Sequence, residues 1–479
     1  MLRMTVSDIA RATGAAVLLE GARDVAGEVV VDSREAREGG LFVAFSGERA
    51  DGNAYLAPAA RAGCAAVVAT AEPPAEALEA ARAAGCAVLR AEGDDGEEFL
   101  LRLAGAWRDL HPGWLVLAVT GSVGKTTTKE MVAAGAAAQR RTHATRGNLN
   151  SLIGLPLTVL AAPEDAEVVV LELGMNHPHE IDRLAAACRP ALAAITNVGT
   201  SHIGILGSRE NIARAKAEVV SGMRAHDGVG PALALASSGD FTPFIADGFA
   251  RPAGVDVVTV GSGEGDLVRA SLVSTDGSGR ARFTVTCADG WSRTVALSLP
   301  GAKLVDDFLL ALALLWRAGL DRDVAVEAIC RMEPTSMRLD VVRAPSGARV
   351  IDDSYNAAPA SMASSLDVLA SMACEGRRIA VLGEMGELGD EAARLHGYVG
   401  AYAAARGVDL LVLVGGELAD EMAEAARTMG LSEDAVERLA TVEDAVRVIG
   451  PVLAEGDLVL VKASRAAGLD NFVKGVLAS

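Results

Sequence analysis

From Leu115 to Thr128 the chain reads Leu-Val-Leu-Ala-Val-Thr-Gly-Ser-Val-Gly-Lys-Thr-Thr-Thr. An apolar, β-prone run feeds a turn with two glycines, and Lys-Thr then opens a helix. This order suits a phosphate cradle. Glycines let backbone N–H groups approach the oxygens, the helix N-terminus adds positive potential, and Lys125 adds a charge. Gly121, Ser122, Gly124, Lys125, Thr126 and Thr127 are therefore expected to bind a nucleotide, with the Thr126 hydroxyl placed for Mg²⁺. The first glycine of the general P-loop pattern falls at Val119, and Gly121 stands inside the loop instead. A strand–turn–helix connection without a ligand is the alternative. The motif specifies a nucleotide site, not a reaction.

At 479 residues the chain exceeds one ordinary core, and about three domains are expected. With 51% hydrophobic and 22% charged residues, the composition is that of a globular protein. The net charge of −19 and the lack of a basic patch argue against nucleic acid as a partner. The six cysteines are scattered without C-x-x-C spacing, which reads as buried small side chains in a reducing compartment. Met1 to Ala16 carries Asp8 and no long apolar stretch, so a signal peptide is not expected. No run reaches the roughly 18 apolar residues of a membrane span. These features predict a cytoplasmic protein.

Residues 1 to about 100 mix short strands (40–45 and 64–69) with a helix over 56–62. The acidic stretch Ala91–Glu98 and then His111-Pro112-Gly113 mark a boundary region. From Trp114 strands alternate with helices, the pattern of a parallel sheet covered on both faces. Strands are expected at 115–120, 167–173 and 192–197, followed after about Ala232 by hairpin-like strands to Leu299 and a helix over 306–318. A third unit beginning near Met332 has strands at 348–353, 378–382, 410–414 and 458–462. The expected domains are thus 1–100, 101–330 and 331–479.

Chemistry-bearing residues follow the central strands, where ligands bind in open α/β sheets. Glu172 ends an apolar strand, well placed for Mg²⁺, and a solvated strand-end acid is the alternative. His202 lies just past the next strand. Lys216 follows on a helix expected over 208–222, where a solvated lysine in i,i+4 pairs is the alternative. Asn148, Asn150 and Ser151 occupy a loop and suit either phosphate or substrate contact, or the capping of the next helix. Arg338 precedes a strand. In Asp352-Asp353-Ser354-Tyr355-Asn356-Ala357-Ala358-Pro359 the paired carboxylates suit ribose hydroxyls or a hinge, while Ser354 or Asn356 suits a helix start.

Together these blocks resemble the Mur ligase family, the ATP-dependent amide-forming enzymes of peptidoglycan synthesis, over nearly the whole chain. The P-loop form, the Thr145-x-Gly147-Asn148-x-Asn150 segment, Glu172-Leu173-Gly174 and the His202…Lys216 spacing carry the resemblance. Asp352–Pro359, Gly383-Glu384-Met385-Gly386-Glu387-Leu388-Gly389 and Val461–Arg465 look like the branch that adds D-alanyl-D-alanine to UDP-N-acetylmuramoyl-tripeptide. Asp32-Ser33-Arg34, with Leu41–Ala44 and Gly47…Asp51-Gly52, resembles the family's UDP-sugar-binding domain. The D-N-P-R-type motif of the diamino-acid-adding sibling is absent.

The resemblance implies an α/β protein of three domains: a small UDP-sugar-binding domain, a central P-loop sheet with an added β segment, and a Rossmann-like acceptor domain. It implies an acyl-phosphate intermediate, ATP and Mg²⁺. Thr126 and Glu172 would hold one ion, and His202 and a carbamylated Lys216 a second. Lys125, Lys216, His202 and Arg338 would be catalytic, with Arg338 reaching the γ-phosphate. Asn148, Asp353 and Asn356 would contact the nucleotide, Asp353 at the ribose. Ser33, Arg34, Asn150 and Ser151 would contact substrate, and the enzyme would act as a monomer. Where the family usually has G-x-H-N-x-x-N, this chain has Gly301-Ala302-Lys303-Leu304-Val305-Asp306-Asp307. Leu304 and Asp307 replace the asparagines that often hold adenine, so weak readout of the base is expected, within about tenfold between ATP and GTP. A ligase with another amino-acid acceptor, a P-loop phosphotransferase and a nucleotide-binding protein without turnover are the rival readings.

Overall fold

The computed structural model of the chain describes residues 1–47 and 51–478. It is a three-domain α/β fold built on three large sheets. The first has five strands in the order Ala16–Leu19, Ala87–Arg90, Ala66–Ala69, Leu41–Val43, Val29–Val30, all parallel except the first pair. A two-stranded ribbon, Leu2–Met4 with Val25–Gly27, lies beside it.

The central sheet has nine strands, and its order explains the site. Running inward from one edge come Ser292–Pro300, Arg280–Cys287, Val268–Thr275, Asp256–Gly261 and Ala232–Ala236. Then follow Leu192–Ile195, Leu115–Thr120, Val168–Glu172 and Thr142–Ala144. The strand Leu115–Thr120 is buried at every position and lies between its two parallel neighbours, so their C-terminal ends open onto one rim. The third sheet runs Asp340–Arg343, Arg349–Asp352, Leu458–Lys462, Arg378–Gly383, Leu410–Val414, Val436–Leu439, antiparallel only at the first pair.

Two expectations are corrected. Ala232–Ala236 and Asp256–Gly261 are not hairpin strands. They extend the parallel sheet, and only the last three strands run antiparallel to one another. Gly, Ser and Asp follow a strand whether the chain turns back or crosses over, so turn composition could not separate the two. The helix expected over 208–222 is broken into Arg209–Ala217 and Val219–Gly222. At the break the Glu218 carboxylate accepts from His179 N and Asp182 N, at the start of helix Glu180–Cys188. Residue 100, where the first domain is expected to end, is helical. It lies within helix Gly96–Asp109, whose cap is Asp95 accepting from Glu98 N. Phe99, Leu103 and Trp107 of this helix share one core with the Leu2–Ile9 segment and with Leu155, Leu184 and Ile195 of the central unit.

Candidate active site

The P-loop leaves Leu115–Thr120 through Gly121, at φ +147°, where a Cβ would collide with the Thr196 hydroxyl. Gly124, at φ +87°, caps helix Lys125–Ala137, and a Cβ there would meet Asp307 Oδ1 at 2.5 Å. Both turns therefore require glycine. The neighbouring strand end fastens the loop. Ser122 N donates to Asn197 O (3.0 Å), Val123 N to Asn197 Oδ1 (3.1 Å), and Gly199 N to Ser122 Oγ (2.9 Å). Helix Lys125–Ala137 has no side-chain cap, and the N–H groups of Gly124 to Thr127 have no acceptor among the described residues. An uncapped helix N-terminus at the mouth of a fixed loop is an anion site. Lys125 curls over it, donating to Gly121 O (2.9 Å). Burial lowers its pKa, Glu172 opposes this, and Arg338 adds to it.

Glu172 stands on the adjacent strand, paired with Val119. Thr126 Oγ1 donates to Glu172 Oε2 (2.8 Å) and Asn150 Nδ2 to Oε1 (2.7 Å), while Glu172 N donates to Thr145 Oγ1 (3.0 Å). The carboxylate is buried, not solvated. The loop residues divide: Asn150 braces Glu172, Ser151 Oγ accepts from Gly154 N at the start of the next helix, and the Asn148 side chain is exposed.

Lys216 is 2% exposed, and its amine makes no hydrogen bond or ion pair among the described residues. Burial and then the charge of Lys125 drive its pKa well down. The surface-lysine alternative is excluded. Arg214 does not share this pocket: it pairs with Glu210 and lies over Phe244 and Phe249. His202, at φ +63°, begins helix Ile203–Leu206, and its Nδ1 lies 2.5 Å from Glu387 Oε2 of the third domain.

Arg338 also comes from that side. Met337 (φ +63°) and Leu339 (φ +52°) kink the backbone around it, and its guanidinium stacks 4.3 Å from the Tyr355 ring centroid. The rim of the central sheet thus gathers a glycine-turned loop at a helix N-terminus, a buried carboxylate, a buried amine and an arginine from another domain.

The Mur ligase middle domain matches residues 119–315, and the Mur ligase glutamate ligase domain matches residues 337–465. A curated Bacillus subtilis protein, "UDP-N-acetylmuramoyl-tripeptide--D-alanyl-D-alanine ligase", is 34% identical over 100% of this chain and 99% of its own. The chain belongs to the Mur ligase family. An Escherichia coli protein of the same name is 30% identical over 96% of this chain and 95% of its own. The crystal structure of MurF from Acinetobacter baumannii superposes with TM-score 0.86 at 27% identity, covering 100% of both chains. MurF from Thermotoga maritima, solved with ADP, superposes with TM-score 0.77 at 24% identity over 94% of this chain and 97% of its own.

Other Mur-type motif residues are occupied by the protein itself. Asp353 Oδ2 accepts from Lys462 Nζ (2.5 Å) and Ser365 Oγ (2.6 Å), and Lys462 also donates to Asn356 O (3.0 Å). Asp353 Oδ1 accepts nothing among the described residues, and Asn356 is exposed. Neither Ser354 nor Asn356 starts the next helix, which is capped at Ala358. In the first domain Arg34 forks onto Asp32, holding that carboxyl down at about 2, and Ser33 begins the short turn that Asp32 caps. Asp51 accepts from Asn53 and Ser46 across the gap of residues 48–50, which lie outside the described residues.

Leu304 and Asp307 are buried, with Asp307 Oδ1 accepting from Thr128 Oγ1 (2.9 Å). Burial raises the Asp307 carboxyl to about 8. Sequence reasoning missed Lys129, which is fully buried and donates to Thr145 O (2.7 Å), beside Glu130. Its spacing, one helical turn after Lys125, was the only available signal. Tyr355 and Glu387 were quoted within motifs without a role.

Proposed function

We propose that the chain is an ATP-dependent ligase that joins D-alanyl-D-alanine to UDP-N-acetylmuramoyl-tripeptide in peptidoglycan precursor synthesis, acting in the cytoplasm as a monomer. The observation that carries the reading is the convergence at one rim of the uncapped P-loop helix, the Thr126–Glu172 pair and the buried Lys216, which has no partner among the described residues. The relatives' names, at 30% identity or more over nearly their whole length, supply the substrate class. The first domain would take the UDP end, with Ser33 and Arg34. Residues 101–330 would take ATP, and residues 331–479 the acceptor. Among the described residues no helix is long and apolar enough to cross a membrane.

The donor set fits Mg²⁺. Thr126 offers a hydroxyl and Glu172 a carboxylate, both hard oxygen ligands. Among the described residues no three His, Cys, Asp or Glu form a closed metal cage. Mg²⁺ is commonly held by one or two side chains with phosphates and water. When bound it neutralises charge on the phosphate oxygens. His202 and Lys216 would serve a second position. A neutral amine suits a hard cation poorly, but its addition to CO₂ forms an N–C bond, releases one proton and leaves an anionic carbamate with two oxygens. Desolvation and then the neighbouring Lys125 lower the Lys216 pKa, which favours the unprotonated amine that this reaction requires.

In the reaction a tripeptide carboxylate oxygen bonds to the γ-phosphorus as the bond to ADP breaks, giving an acyl phosphate. The dipeptide amine then attacks the acyl carbon, loses a proton, and phosphate leaves. The N–H groups of Gly124 to Thr127 hold the phosphates, Lys125 offsets the charge that develops during transfer, and Arg338 reaches the γ-phosphate with its plane set by Tyr355. Asp353 Oδ1 is the oxygen left for the ribose. Because water competes for an acyl phosphate, the third domain must cover the site during turnover.

Stoichiometry tests the reaction class. Free phosphate should appear only when ATP, the nucleotide tripeptide and D-alanyl-D-alanine are all present, one per amide formed. Phosphate retained on a product would sink the ligase reading in favour of a phosphotransferase.

A further inference from the structure

The segment Gly383–Gly389 has so far had no task beyond marking a resemblance, yet it brings the third domain into contact with His202 and Gly204. Three independent features meet there. First, Gly204 N, two residues after His202, donates to Glu387 O (3.1 Å). Second, the backbones touch at a pair of glycines. A Cβ on Gly389 would lie 2.7 Å from Gly204 Cα, and a Cβ on Gly204 would collide with Gly389 N. No side chain fits between them. Third, His202 (φ +63°) and Glu387 (φ +62°) both adopt the left-handed backbone region that non-glycine residues rarely enter. Backbone strain of this kind persists only where surrounding structure holds it, and it collects at functional contacts.

The third-domain segment is held firmly. Met385 N donates to Nε2 of the buried His396, whose Nδ1 donates to Ala392 O (2.7 Å). Gly416 N donates to Glu384 Oε1 (2.7 Å), and Met385 and Leu388 are buried in the third-domain core. Ile203, beside His202, packs against both that core and the central one. Glu387 therefore reaches His202 from a rigid support.

We propose that Glu387 is a positioning residue for His202, a carboxylate that the third domain lends to the imidazole so that the second metal position is complete only when that domain has docked. A histidine that ligates a metal through one ring nitrogen commonly engages a carboxylate through the other, which fixes tautomer and ring orientation. Here the carboxylate and the histidine belong to different domains, so the pairing ties domain docking to metal affinity. The proposal rests on the reading of His202 as a metal-site residue.

The test is Mn²⁺ binding to the full-length protein with ADP, followed by electron paramagnetic resonance. Glu387 is half exposed, so Glu387→Gln should fold as the parent does. This variant should weaken the weaker-binding Mn²⁺ by about tenfold or more, the usual cost of losing such a partner. Glu387→Asp should recover part of the loss, and the KM for ATP should stay within about twofold in both. His202→Ala separates the two layers. If Glu387→Gln leaves Mn²⁺ affinity unchanged while His202→Ala weakens it, the positioning role is overturned and the metal-site reading stands. If neither variant weakens binding, the metal-site reading of His202 falls and takes the proposal with it.

Discussion

Lys125 shows how local geometry becomes chemistry. It sits over a helix N-terminus whose N–H groups lack acceptors among the described residues, so its charge and theirs would converge on one anion. Lys125→Ala should cut kcat by about 10²-fold or more while the fold survives, and steady-state ligation assays beside circular dichroism would check both. Near-full activity would remove Lys125 from phosphate transfer. Lys216 is the second case. A high-resolution map of the enzyme crystallised with bicarbonate should show density beyond the amine. Lys216→Ala should abolish turnover but keep nucleotide binding, and acetate should restore part of the rate. An unmodified amine in an active crystal would contradict the carbamate. Asp307 supplies a pH prediction with a fixed sign. Burial raises its folded pKa to about 8, far above the ordinary carboxyl value of 3.8. The folded state then holds a proton that the unfolded chain releases, so its contribution is complete below about 4 and is lost as pH rises through about 8. Asp307→Asn keeps an acceptor for Thr128 and has nothing to titrate. Calorimetry should show the Tm of the variant, minus that of the parent, climbing across this window, and a flat difference would place the charge elsewhere.

At the scale of elements, the helix after the P-loop does more than present phosphate ligands. Lys129 on its buried face donates to Thr145 O, the Thr145 hydroxyl accepts from Glu172 N, and Thr126 donates back to the Glu172 carboxylate. Helix, loop and strand are tied by these hydrogen bonds around the Glu172 carboxylate, the proposed Mg²⁺ ligand. Lys129→Met keeps the apolar length but leaves the Thr145 carbonyl unpaired, at a cost of about 1–3 kcal/mol. It should also raise the Mg²⁺ concentration needed for half-maximal rate several-fold, because Glu172 loses its brace. A stability loss with unchanged Mg²⁺ dependence would limit Lys129 to a structural role. This arrangement was only half legible in the sequence. Strand Leu115–Thr120 was visible because unbroken apolar, β-branched runs are rare outside buried strands. Glu172 was visible because a carboxylate follows such a run. Lys129 was invisible, since a lysine on an alanine-rich helix reads as a solvated face until the packing partner is known. Glu218 and the broken helix were hidden for the same reason: the acceptor role of that carboxylate depends on the N-terminus of another helix 36 residues upstream.

At the scale of the whole molecule, the proposed active site draws on more than one domain. Arg338, Tyr355 and Glu387 come from one side, and Lys125, Glu172, His202 and Lys216 from the other. The three-sheet division could be anticipated because strand-and-helix alternation restarts near residues 114 and 332. The tight join between the first and central units could not, because helix Gly96–Asp109 is amphipathic whichever body it covers. The central claim is a specific amide bond, and one measurement bears on it most directly. Purified protein is incubated with UDP-N-acetylmuramoyl-tripeptide, D-alanyl-D-alanine, ATP and Mg²⁺, and the products are weighed by mass spectrometry. The account predicts a UDP-linked pentapeptide, formed together with ADP and phosphate and absent when single amino acids replace the dipeptide. A nucleotide tripeptide that returns unchanged or phosphorylated, or that gains a single amino acid in preference to the dipeptide, would contradict it.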